Sequence, residues 1–182
     1  NEDWWKKRHE GFNERAKQGN VDLLLIGDSI THGWEGDGKS VWEKFYTKRN
    51  AMNLGIGGDR TQHVLWRLDN GNIDGLKPKA AVLMIGTNNS NNNKDGTEQY
   101  SAGEILEGVQ TVVKQIRERL PETKVLVLGI FPRGATFSAQ RGKLLQINQA
   151  LAKLATFDGD FTKASTLAAR ATLDGGDDVD SL

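Results

Sequence analysis

The stretch Leu23-Leu24-Leu25-Ile26-Gly27-Asp28-Ser29-Ile30 runs from an apolar segment, through a glycine, into a helix-like segment. Its four apolar residues are too few for a typical helix and have no polar face, so they predict a buried strand. Gly27 permits a sharp turn at the end of that strand. Ser29 is then expected at the carboxyl end of the strand, where open parallel α/β sheets bind their ligands.

A serine in this position has two interpretations. It lies just ahead of a helix N-terminus, whose unpaired backbone N–H groups face whatever binds beside it, and this is a suitable geometry for a nucleophile. An Asp-Ser pair before a helix is also an ordinary N-cap. The motif alone leaves both interpretations open, and two further polar loops favour catalysis.

The first of these loops, residues 53–61 (NLGIGGDRT), has three glycines in four positions. Glycines let a backbone approach a ligand closely and expose its N–H groups. A plain turn or a phosphate-binding loop is the alternative. Nucleotide binding is disfavoured, because neither G-x-G-x-x-G nor the lysine of a P-loop is present.

The second loop, residues 86–89 (GTNN), directly follows the apolar run 80–85. The Asn88 amide offers two hydrogen-bond donors. With the backbone N–H groups of Ser29 and Gly58 it would form an oxyanion hole, which is often the largest single contribution to catalysis of acyl transfer. Taken alone, an asparagine here is more often a turn or cap residue.

Three segments in chain order carry a resemblance to a known family. GDSI (27–30), NLGIGGDRTQHVLWRL (53–68) and GTNN (86–89) resemble the first three motif blocks of the SGNH, or GDSL-type, hydrolases. The middle segment is most similar to the branch with the catalytic subunits of intracellular platelet-activating-factor acetylhydrolase. GDSITHGW (27–34) resembles bacterial members of that branch, several of them carbohydrate acetylesterases. The resemblance extends from Trp4 to Leu154.

The resemblance implies an α/β fold, namely a three-layer α/β/α sandwich similar to flavodoxin with a parallel sheet of about five strands. It implies that Ser29 is the nucleophile and that Gly58 and Asn88 donate to the oxyanion. It also implies hydrolysis of a small-molecule ester, an acetyl ester above all, with an acetylated carbohydrate or lipid as substrate. No cofactor or metal is implied.

The family's last motif block, D-x-x-H, supplies the catalytic base and its orienting aspartate, and it has no recognisable counterpart here. The three histidines, His9, His32 and His63, all precede the third block. Three explanations stay open: the sequence stops before the block, the tail from about residue 157 is shifted or wrongly assigned, or the protein has lost its base. His32 follows Ser29 by one helical turn, but a base also needs an orienting group. Structural or surface roles are therefore predicted for all three, and the base is expected outside this sequence.

Composition agrees with one enzyme-sized domain, 1–182, that is atypical from about residue 157. At 182 residues the chain is long enough to bury a sizeable core. Its 24 basic and 24 acidic residues balance, which gives no basic field for nucleic acid. It has no cysteine, which excludes disulfides and clustered Cys/His zinc sites. No apolar run approaches the length of a membrane span.

Apolar periodicity and breakers predict alternating helices and strands, and hence a parallel sheet with right-handed crossovers. The predicted strands are 22–26, 51–54, 80–85, 124–130 and 156–161, and the predicted helices are 3–18, 41–49, 61–68, 102–120 and 139–154. The sequence begins with Asn1 rather than Met, so the compartment stays open between a secreted or periplasmic protein after signal removal and a cytoplasmic one. The oligomeric state, a homodimer included, also stays open.

Three side chains are predicted to line the substrate site. Asp28 is expected to shape the turn, Trp34 to stack on a sugar or an acyl group, and Arg133 in the segment FPRG to touch substrate. Core packing for the tryptophan and a surface ion pair for the arginine are the alternatives. Trp4 and Trp5 are expected to dock the N-terminal helix. The competing function classes are a binding module on the same scaffold and a flavodoxin-like cofactor protein, which rests on fold alone.

Overall fold

The computed structural model describes residues 2–157, with side chains to residue 153. Its elements follow the predicted order. They are α1 (Glu2–Lys17), β1 (Leu23–Gly27), α2 (Ser29–His32), α3 (Lys39–Phe45), β2 (Ala51–Gly55), α4 (Thr61–Asp69), β3 (Ala80–Met84), α5 (Ala102–Arg119), β4 (Lys124–Val127) and α6 (Ala139–Phe157), with 3₁₀ turns at Gly33–Glu35 and Thr47–Arg49.

The four strands form one parallel sheet in the order β2-β1-β3-β4. Gly27 at the end of β1 is in register with Gly55 of β2 and with Met84 of β3. The loops that follow these three strands therefore leave the same edge of the sheet side by side. This confirms the predicted α/β class with a parallel sheet, and it places all three motif loops at the carboxyl edge.

The fifth strand, predicted over 156–161, does not begin where the sequence suggested. Residues 156 and 157 continue α6, and residues 158–161 lie outside the described part of the chain, as does the rest of the tail. The alanines, leucines and lysine before this point are strong helix formers, and they extend the helix past its predicted end at Leu154. Within residues 2–157 the sheet has four strands.

The core lies between one face of the sheet and the helices packed on it. Alternate strand residues, such as Leu24, Ile26 and Leu54, are fully buried against α4 and α5. The α5 helix is the most regular of these: Ser101 and Glu104 form a capping box at its start. Pro121 follows its last turn, where a helix cannot continue. No helix within residues 2–157 has the length and apolar character needed to cross a membrane.

Candidate active site

Ser29 is the first residue of α2, directly after the turn that ends β1. The N-cap of this helix is Asp28, whose carboxylate accepts a hydrogen bond of 3.0 Å from the Ile30 backbone N–H. Asp28 is buried and Ser29 is exposed. Asp28 therefore provides the cap, and Ser29 is exposed at the helix start without a capping role.

Two glycines allow α2 to lie directly on the ends of the strands. A Cβ on Gly27 would lie 2.5 Å from the Met84 carbonyl oxygen, and one on Gly55 would lie 2.6 Å from the Thr31 carbonyl carbon. Asn53 fixes this arrangement, because its amide donates to the Thr31 carbonyl at 3.0 Å and its oxygen accepts from the Gly55 N–H at 2.8 Å. The helix that carries Ser29 is therefore held by backbone contacts and a buried amide.

The glycine loop after β2 presents Gly58 to open space. Gly58 has φ of +85°, a conformation that favours glycine, and a Cβ there would meet no other group within 4 Å. The next residue, Asp59, is buried and anchors the loop. Its carboxylate accepts hydrogen bonds from the Trp5 indole N–H at 2.7 Å and from Arg67 Nε at 2.9 Å.

Arg67 of α4 ties this loop to the sheet. Its guanidinium is fully buried and also donates to the Leu54 carbonyl at 3.0 Å, to the Asn72 side chain at 2.9 Å and to the Gly27 carbonyl at 3.5 Å. One side chain thus connects the ends of β1 and β2 with the anchor of the glycine loop. Such a charge is tolerated in the interior because it is paired and hydrogen-bonded.

Asn88 joins the third loop to the second. Its side-chain amide donates to the Asp59 carbonyl at 2.8 Å, which places it one residue from Gly58. This hydrogen bond uses one of the two N–H donors of the Asn88 amide and leaves the other for a ligand. The neighbouring Asn89 is buried and bonds the Thr61 backbone N–H at 3.1 Å, at the start of α4. Adjacent asparagines therefore hold the same two loops together.

Two buried carboxylates shape the electrostatics beneath Ser29. Burial raises the pKa of the Asp28 carboxyl, and the nearby charge of Asp59 raises it further. The Asp28 hydrogen bond to the Ile30 N–H and the charge of Arg133 act in the opposite direction. Asp59 is paired with Arg67, and Arg133 contributes a positive charge that acts on the Asp28 carboxyl.

Arg133 lies against the third loop, where its guanidinium donates to the Thr87 carbonyl at 3.2 Å and to the Asn91 side chain at 2.6 Å. Trp34 is half-buried and packs on Trp42 and Tyr46, with ring centroids 6.4 and 5.2 Å away. These contacts account for both side chains structurally. Substrate contact by Arg133, Trp34 and Asp28 stays a prediction.

Each histidine has structural partners. His9 is buried, with Nδ1 3.0 Å from the Asn72 amide, and His63 Nδ1 accepts from the Arg60 backbone N–H at 2.9 Å. His32 stacks on Trp4 at 5.7 Å between ring centroids. Within residues 2–157 the Ser29 hydroxyl has no histidine as a hydrogen-bond partner, and no three His, Asp or Glu side chains of the described residues group as metal ligands would.

Sequence reasoning missed the network formed by Trp5, Asp59 and Arg67. One signal was available: Arg67 falls on the same face of α4 as Val64 and Leu68, which are apolar and buried. An arginine within an apolar helical stripe requires a buried anionic or carbonyl partner. The glycine loop just before this helix contains such an anion, Asp59.

Comparison with known proteins identifies the family of this chain. The model of the GDSL-like lipase/acylhydrolase family matches residues 25–180. The alpha2 subunit of human platelet-activating factor acetylhydrolase IB is 37% identical over 150 residues, which are 82% of this chain and 61% of that protein. The chain therefore spans about three fifths of the length of this curated relative.

Solved structures of low sequence identity share the fold. An acetyl xylan esterase, AlAXEase, superposes with a TM-score of 0.63 at 21% identity, over 85% of this chain and 82% of that one. The acetylxylan esterase Axe2 of Geobacillus stearothermophilus gives a TM-score of 0.60 at 18% identity, over 86% and 81%. With the family match over most of its length, the chain belongs to the GDSL-like lipase/acylhydrolase family.

Proposed function

We propose that this chain is a serine esterase that hydrolyses small acyl esters, acetyl esters above all, with Ser29 as the nucleophile. The observation that supports this most is the 2.8 Å hydrogen bond from the Asn88 amide to the Asp59 carbonyl. It brings the third loop to the glycine loop, whose neighbour at the same sheet edge is the Ser29 turn. The loops that carry Ser29, Gly58 and Asn88 thereby share one edge of the sheet, which supports the roles proposed for these residues.

In the proposed mechanism the Ser29 oxygen attacks the ester carbonyl carbon, and the carbonyl oxygen becomes an oxyanion. The Ser29 and Gly58 N–H groups and the remaining Asn88 N–H donate to it. The bond to the alcohol oxygen then breaks, the serine proton passes to that oxygen, and the acyl group stays on Ser29. Water later hydrolyses this acyl-enzyme, which returns a proton to the Ser29 oxygen and releases the acid. Asp28 shapes the turn as the N-cap and takes no part in proton transfer.

The proposed acyl group follows from the names of the relatives. An acetylhydrolase subunit is the 37% identical relative, and two structures of the same fold are acetylxylan esterases. An acetyl group is also the smallest common acyl group, and the exposed position of Ser29 sets no requirement for a deep acyl pocket. The alcohol part is an acetylated carbohydrate or lipid in this proposal.

The proposed serine nucleophile needs a base, and the three histidines of this chain contact other side chains or backbone groups. A serine hydroxyl is a weak nucleophile at its ordinary pKa, while an intact oxyanion hole alone still gives some catalysis over water. We therefore expect slow hydrolysis by the 182-residue chain. Joining a segment with the D-x-x-H block of a family member is expected to raise the rate by orders of magnitude.

The test measures the initial rate of p-nitrophenyl acetate hydrolysis by the purified 182-residue protein, whose mass is verified by mass spectrometry. Slow turnover is expected in the wild type, none above the buffer rate in Ser29→Ala, and an unchanged rate in His32→Phe, which keeps a ring on Trp4 without a titratable nitrogen. Turnover that survives Ser29→Ala contradicts the nucleophile. Loss of turnover in His32→Phe makes His32 the base.

A binding module on the same scaffold is the second candidate, and the placement of the histidines favours it. His9 and His63 hydrogen-bond other groups, and His32 stacks on Trp4. A module of this kind would retain ligand at the loop cluster and would not turn it over. Saturable binding of an acetyl ester without Ser29-dependent hydrolysis, even after the D-x-x-H segment is joined, distinguishes it from the esterase.

A further inference from the structure

The N-terminal helix brings a tryptophan to the edge of the candidate site. Trp4 is 46% exposed, and its ring stacks on His32 with centroids 5.7 Å apart and planes at 24°. His32 belongs to α2, the same short helix that begins with Ser29. The stack therefore extends an aromatic surface from the nucleophile's own helix outward to α1.

Gly57 locates this stack relative to the nucleophile. A Cβ on Gly57 would lie 3.9 Å from Ser29 Cβ, 3.8 Å from His32 Nδ1 and 4.0 Å from the Trp4 six-membered ring. All three side chains thus surround a single point above a half-buried glycine. The glycine leaves a methyl-sized space there, within contact distance of Ser29 and of both rings.

Polar contacts hold the helix that positions Trp4. Arg8 Nε donates to the Gly55 carbonyl at 2.8 Å, and its two terminal nitrogens bind the Glu35 carboxylate at 3.0 and 2.8 Å. The Trp5 indole N–H bonds the buried Asp59 at 2.7 Å. Trp4 therefore has a fixed backbone, although its ring is exposed, and this saves the entropy of ordering it when a ligand binds.

We infer that the Trp4–His32 stack is a subsite for the alcohol part of the substrate and that it takes a sugar ring. The inference rests on the proposed esterase function of Ser29. A pyranose presents axial C–H groups that pack flat on an aromatic face, and it presents hydroxyls at its edge. The exposed part of the Trp4 ring supplies the face, and the Arg8–Glu35 pair near His32 supplies donors and acceptors for the hydroxyls.

The charges around the stack favour a sugar over a long alkyl chain. Burial lowers the pKa of His32, and the Arg8 charge lowers it further, whereas the Glu35 charge raises it. The Glu35 carboxylate is only partly covered by Arg8. An alkyl chain laid along this surface would desolvate that ion pair without replacing its hydrogen bonds with water, which is unfavourable. Sugar hydroxyls replace them.

The test measures binding in a Ser29→Ala background, which stops turnover. The probe is methyl 2-O-acetyl-β-D-xylopyranoside, which keeps two free hydroxyls, titrated by calorimetry or ligand-observed NMR. Adding Trp4→Ala is expected to weaken binding by about three- to tenfold, the range typical of an aromatic contact, whereas Trp4→Phe retains most of the affinity. Trp66→Ala is the matched control, because it removes another exposed indole that packs on Trp5, and it is expected to leave the affinity unchanged.

Gly57→Ala tests this methyl-sized space. The added methyl makes ordinary contacts of 3.8 to 4.0 Å, so the fold accommodates it, but it fills the space beside Ser29 and the rings. We expect weaker sugar binding with an unchanged unfolding midpoint. Sugar affinity that is absent in Ser29→Ala, or that does not change when Trp4→Ala or Gly57→Ala is added to it, contradicts the subsite.

Further outcomes distinguish a sugar-specific subsite from a general apolar surface, and distinguish failure of the subsite proposal from failure of the esterase proposal. If Trp4→Ala weakens binding of octyl acetate as much as binding of the xyloside, the stack is a general apolar surface and the assignment to sugars is wrong. Trp4-dependent sugar binding without Ser29-dependent hydrolysis supports the subsite while the esterase proposal fails. Ser29-dependent hydrolysis of p-nitrophenyl acetate together with Trp4-independent sugar binding refutes the subsite alone.

Discussion

Arg67 Nε donates to the Asp59 carboxylate at 2.9 Å, and both side chains are fully enclosed by protein. The same guanidinium holds the Leu54 carbonyl at the end of β2, and the same carboxylate holds the Trp5 indole of α1. The residue before Asp59 is Gly58, the proposed oxyanion donor. The pair therefore connects a strand end and the N-terminal helix to the loop on which the proposed chemistry depends.

Removing one member of this pair is expected to be strongly destabilising. Arg67→Met leaves the Asp59 charge buried without its partner, and a change of this kind typically lowers the free energy of unfolding by about 3–5 kcal/mol. Urea unfolding measures it. Arg119→Met is the control, because Arg119 pairs with Asp69 at 3.2 Å on the surface, where such pairs contribute about 1 kcal/mol or less.

The single variant Asp59→Asn and the double variant Arg67→Met with Asp59→Asn complete a double-mutant cycle. Because neither charge remains in the double variant, its loss of stability is expected to be smaller than the sum of the two single losses. Equal losses in Arg67→Met and Arg119→Met, or additive losses in the double variant, would show that the buried pair is not coupled as its geometry indicates.

Substitutions of the neighbouring residues Asn88 and Asn89 are expected to have different effects, the first on catalysis and the second on stability. Asn88→Ala removes a donor that acts on charge in the transition state, so kcat with p-nitrophenyl acetate is expected to fall by about 10²- to 10³-fold, with a much smaller change in KM. Asn89→Ala instead leaves the buried Thr61 N–H without its acceptor, which lowers stability by about 1–3 kcal/mol.

Steady-state kinetics and urea unfolding of both variants check this division. A change in KM alone for Asn88→Ala would make Asn88 a substrate-binding or structural residue rather than an oxyanion donor. A kinetic loss in Asn89→Ala as large as that in Asn88→Ala, at temperatures where both are folded, would also count against the assignment.

His9 is expected to make the fold sensitive to mild acid. Burial, and then the charge of Arg67, lowers the pKa of this imidazole in the folded state. The unfolded state therefore binds more protons than the folded state below about pH 6.5, the ordinary histidine value. The free energy of unfolding is expected to rise with pH up to that value and to fall as the pH drops through it.

His9→Asn retains a hydrogen-bonding side chain toward Asn72 and removes the titration. Urea midpoints at several pH values between about 7.5 and 5.5 are expected to fall less steeply in this variant than in the wild type, because the proton-binding difference at His9 is gone. Parallel slopes for the two proteins would place the acid sensitivity in other groups.

The features that the sequence predicts well are those that local chemistry determines. The run 23–26 is apolar on both faces and ends in Gly27, so its strand and its turn could be placed without a structure. The apolar periodicity of residues 102–120 and the proline that follows them predict the α5 helix. Because parallel strands align their carboxyl ends, three loop motifs could be assigned to one edge of the sheet.

The features that the sequence does not predict depend on contacts between segments far apart in the chain. Whether Asp28 or Ser29 caps α2 is decided by side-chain direction, which the dipeptide leaves open. The Arg67 contacts with Asp59 and Leu54, and the Trp4 contact with His32, span elements far apart in the chain. The proposed strand at 156–161 failed over its first residues, because strong helix propensity continues α6 there.

The most direct test of the central claim is the site at which the chain reacts with a fluorophosphonate. A nucleophilic serine forms an O–P bond as fluoride leaves, and peptide mass spectrometry after prolonged incubation locates the adduct. The proposed mechanism predicts an adduct on Ser29 in preference to every other serine, and no adduct at this loop in Ser29→Ala. An adduct on a different serine, with labelling undiminished in Ser29→Ala, would contradict the claim that Ser29 is the nucleophile.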